Sequence, residues 1–128
     1  MSRKTRIALA AGVVLLIAIA LILPGWGVRQ RAQERESAAE LYQARCAICH
    51  DLEGGIGTPL DPRVLASYGN AQVLFNYVRL AMPYESPRTL PDEAYWMVVG
   101  HLLRSRGLVD EDVVVDEETA EGTRLDGA

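Results

Sequence analysis

Residues 46–50 read Cys46-Ala47-Ile48-Cys49-His50, and this C-x-x-C-H run decides how the rest of the chain is read. Its two cysteines are the chain's full complement, and a disulfide across two intervening residues closes too small a loop to stabilise much. Their value is therefore chemical. A thioredoxin-type pair normally accompanies a β-α-β pattern, which is absent. A structural zinc site wants four ligands; Cys46, Cys49, His50 and His101 are the histidines and cysteines available, and they lack finger spacing. The remaining chemistry is covalent attachment of a c-type haem, for which this spacing is the signature. Two thiols three positions apart reach the two vinyl groups of one porphyrin edge, and the adjacent histidine then sits under the iron as proximal ligand.

A second axial ligand belongs on another segment, approaching the iron from the opposite face. Of the three methionines, Met1 is terminal and Met97 lies between Trp96 and Val98, where core filling is commoner. Met82 ends an apolar helical stripe and is pushed out of helical geometry by Pro83. It is the expected ligand. His101 is the competitor, although a histidine on the flank of a terminal helix is more often solvated.

Working outward, Ala38, Leu41, Tyr42 and Cys46 are spaced as the apolar face of a helix that delivers the first cysteine. Gly54, Gly55, Gly57 and Pro59 make a loop after the motif. Val73, Leu74, Tyr77, Val78 and Leu80 predict a helix over 71–81 that stops at Met82-Pro83. The clearest helix is 92–105, with Asp92 and Glu93 at its start, Arg104 and Arg106 at its end, Gly107 as its stop, and Tyr95, Val98, Val99, Leu102 and Leu103 on one face. Three helices joined by loops thus fill the middle of the chain. A domain this short gains little from burial alone, and a haem supplies the internal support it needs.

The flanks differ sharply in character. Arg3, Lys4 and Arg6 precede an uninterrupted apolar run, Ile7 to Leu23, followed by Trp26. A membrane span needs about 20 residues, with ~17 as a lower limit, and the run meets that limit. Trp26 suits the far interface, and the basic N-terminus places the residues after Trp26 outside the cytoplasm. A cleaved signal peptide is the rival reading, but Leu21-Ile22-Leu23 offers no small-x-small cleavage site. At the other end, Asp110, Glu111, Asp112, Asp116, Glu117, Glu118, Glu121 and Asp126 face the single base Arg124, a composition typical of disorder, interrupted by Val113-Val114-Val115. The expected organisation is an anchor at 1–28, a charged linker at 29–36, a haem domain at 37–108 and an acidic, disordered tail at 109–128. The net charge of −4 conceals this asymmetry.

From about Ala38 to Leu108 the chain resembles a class I cytochrome c domain of the small bacterial type. The resemblance rests on Leu41-Tyr42 before the C-x-x-C-H run, on Leu74-Phe75-Asn76-Tyr77-Val78-Arg79-Leu80-Ala81-Met82-Pro83, and on Leu90-Pro91-Asp92-Glu93-Ala94-Tyr95-Trp96. It implies an all-α fold around one covalent haem c, here preceded by a transmembrane helix. It also implies that Gly57-Thr58-Pro59-Leu60 lines the proximal side, with the Pro59 carbonyl accepting a hydrogen bond from His50, and that Leu41 and Tyr42 meet Tyr95, Val98 or Val99. Tyr77, Arg79 and Tyr95 fall in the pocket, and Arg79 or Arg63 is a candidate partner for a haem propionate. Two positions depart from the pattern. Pro91 stands where Ser or Thr usually caps the last helix, which suggests a shifted start. The only lysine is Lys4, so steering of partners by a lysine ring is absent.

The expected function is single-electron transfer rather than catalysis, by a domain held at the outer face of the cell membrane. The expected partners are the bilayer and redox proteins: a quinol-oxidising complex, an oxidase, a reaction centre or a dehydrogenase, with no nucleic acid. A five-coordinate haem sensor or peroxidase-like enzyme, and a structural haem subunit, are the alternatives.

Overall fold

A computed structural model describes residues 3–126, with backbone alone at 3–11 and 20–24. The described residues form five helices: α1 (Arg3–Arg45), α2 (Ala47–His50), α3 (Pro62–Ala66), α4 (Ala71–Ala81) and α5 (Asp92–Ser105). No strand forms among the described residues; one isolated antiparallel bridge joins Asn70 to Arg124. The chain divides into two compact units, one ending at Glu34 and one starting at Arg35.

In the first unit every described side chain is exposed, including Val13 to Ile17, Trp26 and Val28. Among the described residues no helix is long and apolar enough to cross a membrane. Much of the expected span, Ile7 to Leu23, lies outside the residues whose side chains are described. The expected linker at 29–36 is helical and belongs to α1.

The second unit is built on α4 and α5. The Asn70 side chain caps α4 by accepting from the Val73 amide at 2.9 Å, and α4 ends where Met82 turns extended before Pro83. α5 begins at Asp92 despite the proline: the Pro91 carbonyl accepts from the Ala94 and Tyr95 amides, and no side chain caps the helix. The start is therefore not shifted, because an acidic first turn meets the positive end of the helix dipole without a cap. α5 closes in a Schellman turn, in which Gly107 at φ +71° lets Leu108 N–H reach the Leu103 carbonyl at 2.9 Å. Phe75 of α4 lies stacked on Trp96 of α5, with centroids 3.6 Å apart and planes 9° from parallel, and meets Tyr95 edge-on.

Two expectations fail here. α3 lies where only a loop is expected; Asp61 starts it by accepting from the amides of Arg63 and Val64, with Pro62 at its first position. The tail expected to be disordered at 109–128 is folded as far as it is described. Val115, Ala120 and Leu125 are buried in the same core as α4 and α5. Asp116 Oδ1 gathers the amides of Glu118 and Thr119, each at 3.0 Å, which turns the chain inward. Thr123 O then accepts from the first amide of α4, Ala71 N–H, at 3.0 Å, and Leu125 N–H reaches Gly69 O at 3.0 Å. The acids project outward while an apolar residue at every fifth position turns in. Average composition registers the charge and misses that arrangement.

Candidate functional site

α1 delivers the cysteine motif as expected. The Cys46 amide still donates to Tyr42 O at 2.8 Å, and the amides of Cys49 and His50 both turn back to Cys46 O at 3.1 Å. This single turn is α2, and buried Ala47 roots it in the core. Cys46 and Cys49 form no disulfide, and both are partly accessible. Burial, with the charges of Asp51 and Cys49 adding to it, pushes the Cys46 thiol up to about 11.

The His50 ring is held by Nδ1, which donates to the Thr58 carbonyl at 2.7 Å. A carbonyl only accepts, so the proton resides on Nδ1 and the Nε2 lone pair is left for a metal. The expected acceptor was Pro59; the bond goes one residue earlier. Pro59 contributes differently, by restricting Thr58 to the extended region that presents this carbonyl. The loop also needs two bare glycines. A Cβ on Gly57 would stand 2.7 Å from His50 Nδ1, and one on Gly55 would collide with the Cys49 carbonyl.

A group of side chains without a sequence signature braces the loop. Asp51 Oδ1 accepts from the Tyr42 hydroxyl at 2.9 Å and from Arg106 Nη2 at 2.8 Å, and Arg106 Nε donates to Leu60 O at 2.9 Å. Burial and the Asp51 bond push the Tyr42 hydroxyl up to about 12, so it remains a donor. His101, the competing ligand, is neither free nor fully solvated: its ring lies 5.2 Å from that of Tyr42. That ring contact joins α1 to α5, whereas the resemblance implies Tyr95, Val98 or Val99 as partners, with which Tyr42 shares the buried core. Arg106 is separated from Asp51 by most of the domain in sequence, and local pattern registers it only as a basic helix end.

Met82, the expected second ligand, stands on a separate support. Its carbonyl accepts from the hydroxyl of fully buried Tyr95 at 3.0 Å, which ties the end of α4 to α5. Tyr77 is exposed beside Tyr68, with ring centroids 5.3 Å apart. Arg79 is engaged by Asp92 at 2.6 Å, so its charge is already answered and a propionate would have to compete for it.

Apolar side chains are exposed both on α4 and around the cysteine motif. α4 buries Ala71, Leu74 and Phe75, yet a second stripe, Val73, Tyr77 and Leu80, is exposed on another face. On the motif side Ile48, Leu52 and Ile56 are at least 60% exposed. The turn of α2 holds Cys46, Cys49 and His50 together while Met82 ends α4, and thiol, imidazole and thioether are the soft donors that an iron porphyrin takes.

A family model described as cytochrome c oxidase, cbb3-type, subunit III matches residues 33–102, more than half of the chain. No curated protein and no solved structure matches it. The matched range contains every residue expected to bind haem and stops before Arg106 and the folded C-terminal segment.

Proposed function

The chain belongs to the cytochrome c oxidase, cbb3-type, subunit III family, and from that membership we propose that it is a six-coordinate monohaem electron carrier serving an oxidase complex. The family carries a covalently bound haem c. Cys46 and Cys49 would hold it by thioether bonds, and His50 Nε2 and Met82 would be its iron ligands. When bound, the haem supplies a one-electron couple between Fe(III) and Fe(II). The carrying observation is the His50 hydrogen bond to Thr58 O at 2.7 Å, which fixes the tautomer that ligation requires. The exposed Val73, Tyr77, Leu80 and Ile56 would give a bound porphyrin apolar cover, and a His/Met pair would favour the reduced state relative to two histidines.

The N-terminal helix is the membrane anchor in this reading. The apolar run after Arg3, Lys4 and Arg6 supports it, as do the bare side chains of Val13 to Ile17 and the interfacial Trp26. The haem domain then lies on the outer side. There tethering raises its local concentration near membrane-bound redox partners. The donor and acceptor are redox proteins of the same respiratory membrane.

The test is expression of the full chain in a host that matures c-type cytochromes, followed by haem staining of the denatured polypeptide. Stain on the wild-type band, lost when Cys46→Ala and Cys49→Ala are combined, is the expected result. A wild-type band without stain contradicts the reading.

A further inference from the structure

The loop from Asp51 to Asp61 carries the acceptor that orients His50, yet it has no regular structure and includes Gly54, Gly55 and Gly57. Such a segment is intrinsically easy to open. One side chain crosses it. Arg106 donates through Nη2 to Asp51 at the loop's start and through Nε to the Leu60 carbonyl near its end. Both side chains of the Arg106–Asp51 pair are only about a third exposed, at 31% and 33%, so the bond is partly shielded from solvent. The guanidinium has a fixed origin, because Arg106 occupies the cap of α5 just before the Gly107 turn. Tyr42 adds a third tie, from α1 to the same Asp51 oxygen. Between the two clamped ends lie Thr58 and its bond to His50.

We infer that Arg106 is a positioning residue for the axial histidine: by clipping the two ends of the 51–60 loop together it holds the Thr58 carbonyl on His50 and so tunes the haem iron. The inference rests on the haem reading above. A carbonyl held firmly on Nδ1–H makes the imidazole a stronger donor, which favours Fe(III); a loosened carbonyl shifts the balance toward Fe(II). Two parallel donors in a rigid fork are what the geometry uses. A lysine keeps the charge but offers no fork to span both acceptors.

The experiment compares the full-length haem-loaded chain in detergent with Arg106→Lys and Asp51→Asn, reading the reduction potential and amide hydrogen exchange in the reduced protein. Arg106→Lys preserves charge, so a potential change in it reports geometry. The expected result is a higher potential in Arg106→Lys. Exchange should also accelerate by about tenfold at the Gly55 and Gly57 amides, the factor that goes with one lost charge-assisted hydrogen bond, while α4 amides stay protected. Asp51→Asn, which retains an acceptor for Tyr42, should show the same selective loosening. An unchanged or lower potential in Arg106→Lys overturns the inference, as does faster exchange spread equally over α4 and α5. A wild-type chain that carries no covalent haem contradicts the functional reading instead, so the two failures are separable.

Discussion

At the scale of single residues, Gly57 carries more of the site than its size suggests. A Cβ there would lie 2.7 Å from His50 Nδ1 and 2.9 Å from the Cys49 carbonyl, both held by hydrogen bonds. Gly57→Ala should therefore displace the His50 ring and lower stability by about 1–3 kcal/mol, as overpacking does. Thermal unfolding of the haem-loaded variant and its yield of attached haem check this; a variant matching wild type in both contradicts the geometry. The sequence makes candidates of Cys46, Cys49 and His50 through their spacing, and of Met82 through the proline that ends α4 after it. Thr58 and Arg106 are not legible. A backbone acceptor leaves no side-chain signature, and a bond between residues 51 and 106 has no local period.

Between elements, His101 gives the contact of α1 with α5 a pH dependence. Burial, reinforced by Arg104 and Arg106, holds its imidazole below 6.5 despite Asp51 and Glu111 pulling the other way. The unfolded chain therefore binds the proton more readily. The contribution is complete above pH 6.5 and is lost as pH falls through the lower folded value. Urea unfolding at about pH 7.5 and about pH 5 should show a smaller acid-induced loss in His101→Gln than in wild type. Equal losses would place the titration elsewhere. The α4–α5 pair is the main packed contact, and Phe75→Ala, which removes the stack on Trp96, should cost about 3–5 kcal/mol in equilibrium unfolding. These two helices are readable because each combines an apolar stripe with a physical stop, Pro83 for one and Gly107 for the other. α3 escapes because one turn is too short to show a period, although Asp61-Pro62 is a cap-and-start pair that marks it.

For the molecule as a whole, the C-terminal segment changes what counts as the domain. Composition makes 109–128 a solvated tail, whereas Leu125 is fully buried and Thr123 completes the N-terminus of α4. Arg104 donates to Val113 O at 3.1 Å and Arg35 pairs with Glu111, so the segment is bonded along its length. Leu125→Ala should lower stability by about 2–5 kcal/mol, where an unattached tail would give none; chemical denaturation distinguishes the two. Charge-based reasoning fails here because seven of the eight acids are exposed and Asp116 bonds its own turn, while three apolar side chains face in.

In the proposed function this chain holds one covalent haem between His50 and Met82 and passes electrons rather than binding substrates. The optical spectrum of the oxidised, matured protein tests it most directly. A low-spin spectrum with a methionine-to-iron charge-transfer band, abolished by Met82→Ala, is the expected result. A high-spin spectrum with rapid carbon monoxide binding in the native reduced protein would contradict it.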